Sequence, residues 1–270
     1  MKPKGPARRP CHRLFSAIVA LACNAALAAS SPAPSPVSAP PDPAQLIQQG
    51  DAQVKARHIP EALALFEQAA QFTPDDPAIL LRISQQCDSL IPQAKSPAEA
   101  QAFATRALDL AKKAVALAPD NPKAHLALAV AYGRLTDFVD NRTKIEYSRY
   151  IKDEAAETIQ LDPNEDYAYH VLGRWNYGVA TLSPVLKLMA RYIYGGLPDA
   201  SLEDAVRDFK KAIAIAPQRI IHHHELARAY VALGQLDDAR KEWQTELNLT
   251  PEDHESEQDQ AEARSNLQKN

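Results

Sequence analysis

Five prolines constrain this chain more than any other feature. Pro74, Pro119, Pro163, Pro217 and Pro251 each follow an amphipathic stretch, in the contexts Phe72-Thr73, Leu117-Ala118, Leu161-Asp162, Ile215-Ala216 and Leu249-Thr250. Proline lacks a backbone N–H and drives the preceding residue out of the helical region, so each of the five closes a helix. Their separations are 45, 44, 54 and 34 residues. Helical units of that length bury their apolar faces only by stacking on one another.

A second pattern runs inside this frame. The first unit carries Gly50, Ala62, Phe66, Ala69 and Pro74, and the last carries Leu226, Tyr230, Gly234, Ala239, Trp243 and Pro251. The second has Ala107, Ala114 and Pro119, and the third keeps Leu128, Tyr132 and Pro163. The sharpest block, Asn164 to Pro217, has Leu172-Gly173, then Ala205, Phe209, Ala212 and the closing proline. That order is the tetratricopeptide signature, whose standard unit is about 34 residues. The middle spacings therefore contain insertions and the last contains none. The expected fold is all-α: a right-handed α-solenoid of four to five tetratricopeptide-like helix pairs with insertions. Gly173 is expected to let a neighbouring backbone approach closely. Ser96-Pro97-Ala98-Glu99 and Ser201-Leu202-Glu203-Asp204 read as caps that open second helices.

The ends differ from the middle. Residues 1–28 have the three-part layout of a secretory signal: a basic start, an apolar run from Leu14 to Ala22, and Ala26-Leu27-Ala28 as cleavage site. The run is too short to remain as a membrane span, so no stable transmembrane segment is expected after cleavage. This predicts a periplasmic or secreted protein; the alternative reading is a lipoprotein anchored through Cys23. Residues 29–43 form a Pro/Ser/Ala-rich linker, 44–251 the repeat domain, and 252–270 a polar cap helix that fades into disorder. Five of the 30 Lys and Arg precede Ala28, which leaves 25 against 34 Asp and Glu, a net of −9 for the remainder. So acidic a chain repels nucleic acid. Cys11 and Cys23 fall in the leader, and Cys87 reads as a small buried hydrophobe.

The central block also resembles a known family. Leu172-Gly173-Arg174-Trp175, Tyr177, Val179-Ala180 and Leu182-Ser183, followed by Leu197-Pro198 and Ser201-Leu202-Glu203-Asp204-Ala205, are similar to the regulator of microtubule dynamics family. Lys144-Ile145-Glu146 and Ile151-Lys152-Asp153 match its third unit, and the likeness runs from about Pro77 to the C-terminus. The resemblance implies an irregular tetratricopeptide array. Eukaryotic members are associated with microtubules or with membrane contact sites and phospholipid binding. The secretory leader sets this chain apart as similar to a bacterial, exported member, and Pro184 stands where many members have Trp.

In such an array the first helix of each pair lines the concave face. Counting along those helices puts Arg134, Tyr167, His170, Arg174, Tyr177, His224 and Arg228 in the groove. A basic strip inside an acidic molecule suits a carboxylate or phosphate held by guanidinium forks. The expected function is a non-enzymatic interaction scaffold of the cell envelope that takes a protein partner's peptide or acidic tail. The alternative is binding or transfer of an anionic lipid or other amphiphile; the bland reading is that these arginines pair with neighbouring carboxylates and only hold the stack. His222-His223-His224 is no metal site, because adjacent helical residues diverge by about 100°; His223 should instead take the core-facing position of His125. No catalytic residue, cofactor or metal site is expected. The insertion from Ser183 to Pro198 spaces Val185, Leu188, Met189, Tyr192 and Ile193 as an amphipathic helix ended by Gly195-Gly196, expected to pack on the groove edge or the next unit.

Overall fold

The computed structural model describes residues 42–251 and 253–269, and every regular element among them is helical. The leader, Cys23 and the linker up to Pro41 lie outside the described residues. Consecutive helices pack in pairs: α1 (Pro43–Lys55) with α2 (Ile59–Phe72), α3 (Pro77–Leu90) with α4 (Pro97–Leu117), and α5 (Pro122–Leu135) with α6 (Asn141–Leu161). The fourth pair is α7 (Asp166–Ala180) with α9 (Leu202–Ile215), the inserted α8 (Pro184–Tyr194) lying between them in sequence. The fifth is α10 (Ile220–Ala232) with α11 (Leu236–Leu247), and α12 (His254–Lys269) packs on both. No described helix is long and apolar enough to cross a membrane.

The prolines act as the sequence requires. Thr73, Ala118, Asp162 and Ala216, each preceding a unit proline, leave the helix with φ between −142° and −129° and ψ between 72° and 96°. After Pro74 and Pro119 the next helix opens on a side-chain cap, whereas α7 and α10 open without one. Asp76 and Asn121 accept the N–H groups of Ala78 and Lys123, and Ser201 accepts that of Asp204. At Ser96 the hydroxyl accepts the Glu99 N–H as in a capping box, while the Glu99 carboxylate reaches one residue further back and accepts the Lys95 N–H.

Each unit proline also exposes a carbonyl at the negative end of a helix, and every one of the five receives a side-chain donor. Lys113 donates to Pro74, His125 to Pro119, Tyr169 to Pro163, His223 to Pro217 and Arg57 to Pro251, at 2.9, 2.7, 3.3, 3.1 and 3.1 Å. His125, Tyr169 and His223 stand six residues beyond their prolines, so one register position serves three loops. His223 does repeat His125: the second ring nitrogen of each meets a carboxylate, Glu154 at 2.6 Å or Glu242 at 2.7 Å. The Arg57 bond spans the whole array. Its guanidinium, on a residue at φ +61°, also reaches Glu257, so the α1–α2 turn touches the start of α12.

Small residues let the paired helices close. Ten residues beyond four of the prolines stand Ser84, Ala129, Gly173 and Ala227, all buried, and Gly50 fills the same role in the first unit. At Gly173 it is a ring, not the expected backbone, that fills the space: a Cβ there would lie 2.6 Å from the Phe209 ring edge. Gly50 meets Phe66 in the same way, at 2.4 Å. The core around these contacts runs through α1–α5 with Phe66, Ile79, Ile83 and Cys87, and again through α9–α12 with Phe209, Leu226, Tyr230 and Trp243. Cys87 is fully buried, and burial pushes its thiol up to about 11, out of the range of a reactive thiolate.

Two segments depart from expectation. The C-terminal segment does not fade: α12 runs unbroken to Lys269, because Ala263 enters the core and the Gln260 amide caps the carbonyls of Glu246 and Leu249. Nor does α8 pack its apolar stripe on a neighbour. It leans on α6 and leaves Val185, Leu188 and Tyr192 exposed. The ring-in-glycine packing predicts that Gly173→Ala destabilises the protein by about 1–3 kcal/mol in urea unfolding. Gly178→Ala, on the same helix with open space at its Cβ, should show no loss of that kind; equal losses would contradict the packing.

Candidate functional site

The first helices of successive pairs lie side by side, α3 beside α5, α5 beside α7 and α7 beside α10. Arg174 and Arg228 each stand eleven residues beyond their unit's opening proline, so they occupy equivalent places on adjacent helices. Between them lies a residue that counting groove positions overlooked, Glu225. Its side chain is 5% exposed, yet Arg228 donates to it at 3.0 Å and Arg174 approaches the same oxygen at 3.7 Å. Two guanidiniums therefore share one buried carboxylate, and both remain half-exposed, at 52% and 41%. The unit carries one net positive charge with unfilled N–H donors facing outward. The Arg228 guanidinium also covers the half-buried Tyr177 ring, 5.4 Å from its centre. The sequence offered one clue to Glu225, its helical i,i+3 spacing to Arg228.

The remaining groove candidates divide. Arg134, half-buried on α5, faces the buried Asp88, whose carboxyl burial pushes up to about 7 while Arg134 pulls it back. Tyr167 is half-buried, stacked on the His170 ring at 4.7 Å with the Arg219 guanidinium 5.9 Å from its centre. His170 and His224 do not line an open groove: they are 1% and 4% exposed, because both rings are drawn into contacts between helices. His224 bonds Glu246 at 3.3 Å, and His170 bonds His222 at 3.2 Å.

Those contacts form a directed chain across the α7–α10 seam. Burial lowers His222 despite its 2.7 Å bond to Asp166. Burial also holds His170 well below the ordinary histidine value, reinforced by His222, Arg174, Arg219 and Arg134. Burial pulls Asp166 the other way, but the His222 bond and Arg219 outweigh it and keep the carboxyl ionised. With both rings neutral, His222 Nε2–H donates to Asp166 and His222 Nδ1 accepts from His170 Nδ1–H. The lone pair on His170 Nε2 ends in the core without a partner among the described residues. An Asp-His-His chain of directed bonds fixes α7 and α10 relative to each other. The three consecutive histidines thus go to three different carboxylates, Asp166, Glu242 and Glu246.

Beyond α10 the surface changes sign. A recess of about 200 Å³ is bounded by Tyr167, Arg219 and Ile221 on one side and by Asp253, Glu255 and Asp259 on the other. Burial raises the Asp259 carboxyl to about 6, although His224 pulls it down. The opening of α12 thus sets carboxylates beside the start of α10.

The five buried histidines fall into two groups. For His125, His223 and His224 burial opposes the charge, but their carboxylate partners prevail and raise them above 6.5. Their stabilisation is complete below about 6.5 and is lost as pH rises through the folded values. His170 and His222 are lowered, and theirs is present above about 6.5 and lost as pH falls. Nitrogen-detected NMR titration should find the first three above and the second two below the ordinary histidine value; His170 titrating with His223 would contradict the chain.

Comparison with known proteins agrees with this architecture. The family described as regulator of microtubule dynamics protein 1-3 matches residues 46–270. Regulator of microtubule dynamics protein 2 from Bos taurus is 30% identical over 144 residues, which is 53% of this chain and 35% of that protein. The Mus musculus protein is 27% identical over 198 residues, 73% of this chain and 48% of that one. The matched part thus spans a third to a half of these relatives. Among solved structures, TTC0263, a thermophilic TPR protein of Thermus thermophilus, superposes with a TM-score of 0.65 at 19% identity, covering 83% of this chain and all of that one. The fold is thus a tetratricopeptide-like α-solenoid, and the chain belongs to the regulator of microtubule dynamics family.

Proposed function

We infer that the chain is a non-enzymatic interaction scaffold, and that the groove face of α7 and α10 takes an acidic segment of a protein partner. The observation that carries this reading is the Arg174–Glu225–Arg228 cluster. A single carboxylate cannot satisfy the donors of two guanidiniums, and both heads stand in water on the face where such arrays offer extended binding surfaces. A carboxylate from a partner would find a second acceptor position between them, with Arg134 and the rings of Tyr167 and Tyr177 along the same strip. The buried Glu225 holds both heads in place before binding, which lowers the ordering cost of capture. The leader at residues 1–28 supports a location outside the cytoplasm, in the periplasm or beyond, where the partner would be met.

Fluorescence anisotropy with a labelled Glu-rich peptide tests the groove, using the protein recovered from cells that express the whole chain. Arg174→Ala/Arg228→Ala should weaken binding about tenfold or more, since hydrogen bonds to charged groups contribute roughly 1.5–3 kcal/mol each. Unchanged affinity in a folded double variant, or no binding by the parent protein, would overturn the reading. N-terminal sequencing of the same sample should start after Ala28, and an intact Met1 would remove the export proposal.

A further inference from the structure

None of the described side chains of the helix that interrupts the fourth pair belongs to the groove candidates or to the core clusters. Polar bonds at its ends set α8 in place. The Ser183 hydroxyl accepts the Leu186 N–H, and Lys187 donates to the Ala180 carbonyl at 2.8 Å. Gly195, at φ +77°, lets the Gly196 N–H close on the Ala190 carbonyl at 2.8 Å, and Arg149 on α6 holds the Gly196 carbonyl, also at 2.8 Å. Of its described side chains only Ala190 is buried, at 4%. Val185, Leu188 and Tyr192 are 66%, 56% and 80% exposed, and their i, i+3, i+7 spacing places them in one stripe. Water is a poor neighbour for so much contiguous apolar surface.

The charges beside the stripe identify what covers it. Lys187 and Arg191, one helical turn apart and both exposed, border the apolar residues on one side. From Tyr167 to Pro198 there is no Asp or Glu, in a chain that holds 34 of them and has a net charge of −4. An apolar stripe edged by cations and free of carboxylates matches a lipid surface that offers acyl chains below and phosphates at the rim. We propose that α8 is an interfacial docking helix that lays Val185, Leu188 and Tyr192 into an anionic bilayer with Lys187 and Arg191 at the phosphates. A capturing groove on α7 and α10 and a membrane-facing helix inserted between α7 and α9 would hold a bound partner beside the lipid surface.

Flotation of the full chain with vesicles tests this, comparing pure phosphatidylcholine with a mixture containing one quarter phosphatidylglycerol. The protein should float with the anionic vesicles. Leu188→Ser/Tyr192→Ser should bind at least about tenfold more weakly, and Lys187→Gln/Arg191→Gln should lose the preference for phosphatidylglycerol. A Tyr192→Trp variant reads α8 alone, whatever the leader contributes. Its added emission should shift to the blue on anionic vesicles and be quenched by brominated acyl chains. A Tyr192→Trp variant that keeps its water-exposed emission on these vesicles would overturn the proposal. So would a concentration-dependent dimer that the Ser variants abolish, since the stripe would then belong to a second copy of the chain.

Discussion

Every unit of this array ends on an imide whose carbonyl has no helical partner, and the rest of the structure depends on how those five carbonyls are satisfied. The imide forces the preceding residue into an extended conformation, so the next helix starts in a fixed direction. A side chain then returns to the carbonyl from the next helix in three cases and from a more distant one in two. Four of the five donors are Lys, Arg or His, which suits the negative end of a helix. Because His125, Tyr169 and His223 reach back from one register position, the helices after those three prolines begin in phase. Phase brings the small residues opposite their partners and sets Arg174 level with Arg228.

The α7–α10 seam differs from an ordinary apolar helix contact. Asp166, His170, His222 and Glu225 are all buried there, along with the aliphatic core. A chain of directed bonds admits fewer alternative packings than a greasy contact does, at the cost of desolvating charges. The same seam supplies the half-exposed guanidiniums, so groove geometry and helix registration share one set of bonds. Next to it, α6 buries only Ala155 and Thr158 among its described residues, and Trp175 bonds Ser148 beneath the Lys152 ammonium. α8 leans on that thinly packed region and keeps its apolar stripe exposed.

The fold was legible in the sequence because proline and glycine act locally: an imide ends a helix whatever surrounds it, and the spacing of small and aromatic residues reports pairing directly. His223 was legible for the same reason, through its match to His125. The site was less so. Counting positions put Arg174, Arg228, His170 and His224 alike in the groove; the two arginines are half-exposed but the two histidines are buried, because counting knows nothing of neighbouring rings. Which carboxylate meets which imidazole depends on residues 56 apart in sequence, as for Asp166 and His222, and no local pattern encodes that. The outward face of α8 was obscured similarly, since helical spacing marks a stripe without saying what lies against it.

The central claim is that Glu225 holds two guanidiniums ready for an incoming carboxylate instead of merely neutralising them. Glu225→Gln separates these roles, because it keeps the side chain's size and removes its charge. The decisive measurement is the affinity of the Glu-rich peptide for this variant at two salt concentrations. Binding several-fold weaker than in the parent protein is expected at both salt concentrations, because the neutral amide no longer holds the two heads in place. Unchanged or tighter binding by a folded variant would show that Glu225 only neutralises the arginines.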